Sequence, residues 1–310
     1  MFVGDSTDSA GFDEAEKAVM RFPDKAENTA RMLRLMIPRA PPSPVCIFAE
    51  GNCITAARAI SNLADEIGSR PVVTVTDGRI PGWVGAGTCA VCMSDSPDGI
   101  DRSMIEELKA RGCDTSILRA GKEKGGWNTV LMPPMCAMDV VAFSLGYLCT
   151  LLTNRGIADA MSALSEAASF ARASFERIRV AASEAAGSLR SCVVASYSAS
   201  AISACSAHMS RSIVRRTGGL AFCGELPEYD HNELVGWSDP NPHAPDLRMV
   251  VIEGGPDRGL VPVIISCMEE VLRENGRDVT TVSAGRGPSL TGNIAGIMLA
   301  ELIAAGMEDP

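Results

Sequence analysis

Three glutamates and a histidine crowd into nine residues of the segment Gly224-Glu-Leu-Pro-Glu-Tyr-Asp-His-Asn-Glu-Leu-Val-Gly-Trp237: Glu225, Glu228, His231 and Glu233. Imidazole changes charge near neutral pH, so a histidine among carboxylates is equipped to move protons. Pro227 bars a continuing helix or central strand, which predicts that these groups are presented on a turn or at the mouth of a short helix. Reacting groups are commonly held on such loops. The same residue types equally suit a solvated acidic turn around a structural histidine.

The elements that must position this segment follow from the apolar pattern. Val45-Cys-Ile-Phe-Ala49, Pro71–Asp77, Thr88–Met93, Thr115–Leu118 and Asn128–Met132 are short apolar runs bounded by turn residues, as expected of buried strands. Helical patterns over 12–37, 53–67, 100–111 and 138–154 surround them, with Asn52 expected as an N-cap and Gly112 as a C-terminal stop. The long Ala-rich stretch 157–187 is helical throughout. The alternation then resumes with strands at 191–195, 219–222, 248–252 and 279–282 and helices at 199–216, 259–275 and 289–305. Strands alternating with helices of this length predict an α/β chain of two similar halves, each a parallel sheet with helices on both faces. The expected division is a first domain with N-terminal helices over 1–155, a helical connector over 156–187 and a second domain over 188–310.

Ligands of such sheets bind beyond the carboxyl ends of the strands. Ala49-Glu-Gly-Asn-Cys-Ile-Thr55 opens a helix with Gly51 and Asn52, where backbone amides can approach an anion. Ser94-Asp-Ser-Pro-Asp-Gly99 offers Ser94 and Ser96 after the third strand, and Ser196-Tyr-Ser-Ala-Ser200 holds the matching place in the second half. Such turns are also ordinary helix caps, and Glu50, Asp95 and Asp98 oppose a phosphate. The formal charge of −10 argues against nucleic acid and against an anionic membrane surface. No uninterrupted apolar stretch reaches the roughly 18 to 20 residues that span a bilayer. The N-terminus lacks the layout of a signal peptide, so the 11 cysteines read as reduced, buried hydrophobes of a cytoplasmic protein. Cys89-Ala-Val-Cys92 lies in a strand, where positions i and i+3 face opposite ways, so no metal site is expected there.

Glu225-Leu-Pro-Glu228, His231-Asn-Glu233 and Val235-Gly-Trp237 together resemble a signature of the bifunctional phosphoglucose/phosphomannose isomerases, which are built from two sugar isomerase (SIS) domains. Ile80-Pro-Gly-Trp-Val84, Gly146-Tyr147 and the ending Gly306…Asp309-Pro310 are similar to further stretches of that family. The resemblance implies two SIS-like domains and a homodimer with its site at the subunit interface. It implies aldose–ketose isomerisation of a 6-phosphorylated sugar of the glucose, mannose or fructose 6-phosphate class, through an enediol and without a metal or other cofactor. His231 would then open the sugar ring. Counted back without gaps, Arg215 stands where the family has its proton-transferring glutamate, which leaves Glu225, Glu228 and Glu233 as replacements. Arg215 is suited to grip an anion instead. Gly51, Asn52, Ser94 and Ser96 fall on the phosphate-binding loops. The family's terminal lysine helix would stand beyond Pro310. A catalytically inactive SIS protein that binds a sugar phosphate, as sensor or partner subunit, is the alternative expectation.

Overall fold

The computed structural model describes residues 11–121, 128–227, 247–256, 261–276 and 279–308. The first sheet is made of β1 (Val45–Ala49), β2 (Val72–Val75), β3 (Cys89–Ser94), β4 (Asp114–Ala120) and β5 (Thr129–Met132). Its order is β2-β1-β3-β4-β5, and every pairing is parallel. All residues of β1 and β3 are buried, as strands covered on both faces must be. On one face Cys46, Phe48, Ala90 and Cys92 pack with Leu108, Met104 and Ile105 of α3 (Arg102–Ala110). By strand alternation Val45, Ile47 and Val91 face the other way. There α2 (Cys53–Ile67) lies along β1 and β2 and packs on α4 (Ala137–Asn154). Preceding the sheet is α1 (Phe12–Leu33).

The second sheet follows α5 (Ala160–Leu189) and contains β6 (Val193–Ala199), β7 (Ala221–Leu226), β8 (Leu247–Gly255) and β9 (Val279–Arg286). Its order is β7-β6-β8-β9, again wholly parallel. A 3-10 turn, Ser200–Ile202, leads from β6 into α6 (Ser203–Thr217); α7 (Val261–Glu274) and α8 (Ser289–Gly306) follow β8 and β9. Ile265, Met268 and Leu272 of α7 cover Ala195, Tyr197, Leu226, Met249 and Val251 on one face. On the other, α6 and α8 meet closely, because Gly296 leaves room for Cys205, with which a Cβ would collide. Every residue of α8 from Ser289 to Ala305 is buried, so it has no polar face.

Residues Phe22–Ala168 form one compact unit; Met1–Arg21 and Ser169–Pro310 form another. The strands and helices lie where the apolar pattern puts them, with three differences. Asn52 is no side-chain cap: its backbone is already helical, and its amide turns elsewhere. β7 runs through Glu225 to Leu226, so Glu225 stands on a strand end rather than a turn. Two helices, α4 and α8, do reach a bilayer-spanning length and apolarity, but 83% and 94% of those windows are buried inside the protein. Cys89 and Cys92 are both buried on β3, and burial pushes their thiols up to about 12. Among the described residues no cluster of His, Cys, Asp and Glu has the makings of a metal site.

One position tests the packing of α1 on α4. A Cβ at Gly146 would lie 2.5 Å from the Ala26 carbonyl oxygen and 3.0 Å from the Ala30 nitrogen, backbone atoms that cannot swing aside. Gly146→Ala is therefore expected to destabilise the fold by about 1–3 kcal/mol, measured as a lower urea midpoint at unchanged slope.

Candidate functional site

The strand order of each sheet reverses once, between β1 and β3 in the first and between β6 and β8 in the second. A crevice forms at the carboxyl ends where neighbouring strands send their helices to opposite faces. In the first sheet, β1 passes through Glu50, Gly51 and Asn52 into α2, while β3 ends at Ser94 and continues into Asp95 and Ser96. Gly51 holds a φ of +58°, a left-handed turn that suits glycine. A Cβ there would collide with the Asp95 carboxylate. That carboxylate accepts the Asn52 backbone N–H at 3.0 Å and the Asn52 side-chain N–H at 2.6 Å, both on Oδ2. Ser94 is buried, and its hydroxyl accepts the Ser96 N–H at 3.1 Å. Partial desolvation and the Asp95 charge raise the Glu50 carboxyl above its usual range, and a hydrogen bond with Ser94 opposes them.

Gly51, Asn52, Ser94 and Ser96, the residues singled out for phosphate, are thus gathered in one crevice. Asp95, a carboxylate of the protein itself, sits among them. No local pattern announces the pairing, since Asn52 and Asp95 are 43 residues apart.

The second crevice is framed by hydroxyls that serve the backbone. Ser196 Oγ lies 2.9 Å from the Ser206 carbonyl and 3.0 Å from that of Phe222. Ser198 bonds Ser206 Oγ at 2.9 Å, and Ser200 donates to the Leu226 carbonyl at 3.1 Å. Opposite them, β8 ends in Gly254 and Gly255, with φ of 148° and 79°. The first turn of α8 comes so near that a Cβ at Gly292 would stand 2.7 Å from the Gly255 nitrogen. Glu225 is half-buried at the end of β7, in register with Ser198. His231, Glu228 and Glu233 lie outside the described residues. Sequence reasoning passed over Glu253, the last carboxylate of β8. Burial first, and Glu269 second, push its carboxyl up, while Arg286 pulls it down. A lone Glu closing the apolar run Met249–Ile252 just before two glycines was its signal.

Arg215 has a different place. In the last turn of α6 it donates to both oxygens of Glu301, each at 3.1 Å. Arg216 reaches Glu301 at 2.7 Å and Glu308 at 2.8 Å. Ser212 and His208 approach the same carboxylate at 2.7 and 3.1 Å. This network ties the far end of α6, the end away from the Ser200 turn, to α8. Burial disfavours the charged form of Glu301, but His208, Arg215 and Arg216 outweigh it and hold the carboxyl well below its usual range. Desolvation lowers His208, against the pull of Glu301, so its imidazole is neutral. The lone acid in the apolar helix Ser289–Gly306 was the readable sign of this cluster.

Two wholly parallel sheets, the strand order of each reversing once and each covered by helices on both faces, make a doubly wound α/β architecture of the SIS-like kind. Residues 179–307 match the family described as the bacterial phospho-glucose isomerase C-terminal SIS domain. No curated protein matches the chain significantly. Among solved structures, the C-terminal domain of glucosamine-fructose-6-phosphate aminotransferase from Francisella tularensis superposes with a TM-score of 0.71 at 10% identity, covering 96% of each chain. Tagatose-6-phosphate ketose/aldose isomerase from Escherichia coli gives 0.65 at 11%, over 94% of this chain and 92% of that one. Glucosamine-6-phosphate deaminase from Thermotoga maritima gives 0.61 at 11%, with the same coverage. At these identities the likeness is one of fold.

Glu301→Gln would leave buried Arg216 short of its counter-charge and is expected to cost about 3 kcal/mol or more. The pH dependence has one sign. His208 has a folded value below its ordinary 6.5 and Glu301 one below 4.5, so in both cases the unfolded chain takes up protons first as pH falls. Stability should therefore decline below about pH 6.5 and more steeply below about pH 4.5. Denaturant unfolding of wild type and Glu301→Gln between about pH 7 and about pH 4 checks both, the variant losing the steeper part.

Proposed function

We propose that the protein is an aldose–ketose isomerase of a 6-phosphorylated sugar of the glucose, mannose or fructose 6-phosphate class. The observation that carries this is the match of residues 179–307 to the phospho-glucose isomerase SIS domain, because that span includes the whole His231 segment. In this reading His231 protonates the ring oxygen and opens the sugar. A carboxylate then takes the proton from C2, leaving an enediol, and returns it to C1. Glu225, Glu228 and Glu233 are the candidate bases, and the place of Glu225 beside the second crevice supports its inclusion. Gly51, Asn52, Ser94 and Ser96 would receive the phosphate by backbone amides and hydroxyls, once Asp95 gives way. The protein would work in the cytoplasm as a homodimer, without nucleic acid or membrane.

A second reading, a sugar-phosphate-binding protein without catalysis, is favoured by Arg215. An arginine already committed to Glu301 supplies neither a base nor a free grip for an anion.

Proton transfer by a positioned side chain is worth about 10²–10⁴ in rate. His231→Ala is therefore expected to lower the conversion of fructose 6-phosphate, followed by NMR, by a factor of that order. Glu225→Gln, Glu228→Gln and Glu233→Gln made singly would show which carboxylate moves the proton. A wild type with no turnover of glucose, mannose or fructose 6-phosphate would remove the isomerase reading. Calorimetric binding of the same sugars would then support the second one.

A further inference from the structure

We propose that the pocket between the first turn of α1 and the carboxyl ends of α5 and α8 is a second ligand site, which takes a small monocarboxylate with an apolar, ring-sized body. All of its walls belong to the unit that carries the second sheet. The pocket has a volume of about 350 Å³, and Phe12, Ser183, Gly187, Arg190, Gly306 and Glu308 line it. None of the residues assigned to the isomerase reading is among them, so the site goes beyond that reading. The 18-residue helix α8 begins beside the second crevice and ends at this pocket. That length separates the two by about 27 Å along the helix axis.

The apolar part is set by close packing at one glycine and open space at another. A Cβ at Gly306 would lie 2.7 Å from the Ala186 Cβ and 3.8 Å from the Phe12 ring, so α5 and that ring close on the end of α8. A Cβ at Gly187 would meet nothing within 4 Å, although Ala185, Ala186 and Leu189 around it are buried. A cavity of roughly 150 Å³ takes a benzene, so this one has room for a ring and a short chain. The charged lining residues are Arg190 and Glu308. Arg216 already meets Glu308 at 2.8 Å, and with Arg215 it balances Glu301 and Glu308, two charges against two. Arg190 has no carboxylate partner among the described residues. Its Nε and Nη2 donate to the Gly306 carbonyl at 3.2 and 3.1 Å, which fixes the guanidinium and leaves the Nη1 protons for a ligand. An anchored guanidinium recognises carboxylate or phosphate. Glu308 decides between them, because a dianion would be repelled by its carboxylate while a single negative charge matches the one uncompensated cation.

Hydrocinnamate, a phenyl ring on a short carboxylate chain, is the probe, titrated into the full chain and followed by amide resonances. Those of Ser183, Gly187, Arg190 and Gly306 should move together and saturate. Hydrogen bonds to charged groups are worth about tenfold or more in affinity, so Arg190→Gln should bind hydrocinnamate at least about tenfold more weakly. Hydrocinnamyl alcohol, which lacks the charge, should bind wild type more weakly by a similar factor. Gly187→Leu puts a side chain into the open space and leaves Arg190 in place. It should abolish binding at an unchanged or higher urea midpoint, since leucine suits a helix better than glycine. This variant decides the matter should Arg190→Gln fail to fold. Resonances that stay still in wild type, equal binding by the alcohol, or undiminished binding in Gly187→Leu would overturn the proposal. Fructose 6-phosphate should leave the four resonances unmoved, and a response to it as strong as to hydrocinnamate would overturn the ligand class. The isomerase reading is judged by turnover, so its failure would appear separately.

Discussion

A strand buried on both faces has nowhere to put a charge. β1 and β3 are closed in at every residue, and β8 is buried from Met249 to Ile252. Unpaired polar groups at such depth are costly, and charges more so. Polar side chains are therefore driven to the strand ends, where helices begin and backbone amides stand unsatisfied. Glu50, Asn52, Asp95, Ser200, Glu225 and Glu253 all stand within three residues of a strand's carboxyl end. The polar groups of the two crevices are placed there by the same requirement that makes the sheets stable.

The buried charge that does occur away from the strand ends obeys the same rule by another route. Glu301 lies inside α8, and its cost is met by two guanidinium groups, a serine hydroxyl and a neutral imidazole converging on one carboxylate. Such a cluster is directional, unlike the apolar contact around it. It specifies which turn of α6 faces which turn of α8, and apolar side chains alone would specify that less sharply.

Much of the fold was legible in the amino-acid sequence. Val45–Ala49 and Cys89–Met93 are apolar runs closed by turn residues, and both are strands within a residue of the expected bounds. Legibility failed where polar residues sit in strands. β4 begins at Asp114, exposed at the strand's first position, and β7 runs beyond Glu225 as an edge strand, where polar side chains are tolerated. Gly51, Asn52 and Ser96 fall on the strand-to-helix turns expected of them, and Ser94 on the last residue of β3. What fills the crevice they line was not legible, since the partner of Asn52 is fixed by tertiary pairing between β1 and β3. Arg215 likewise reads as an exposed cation until α8 brings Glu301 beneath it. Long-range partners of short polar side chains leave no periodic trace.

The all-round burial of α8 has a bearing on how the chain must be made. A helix with no polar face is stable only when already surrounded, so α8 gains little by forming ahead of the sheet and α6. Until then it is an 18-residue apolar segment of the kind a membrane or a chaperone would hold. Glu301 makes the bilayer the worse of those options, because an acid inside a lipid-embedded helix costs about 2.5–3.5 kcal/mol at the centre. The residue that locks the finished domain thus also steers the unfinished one away from lipid.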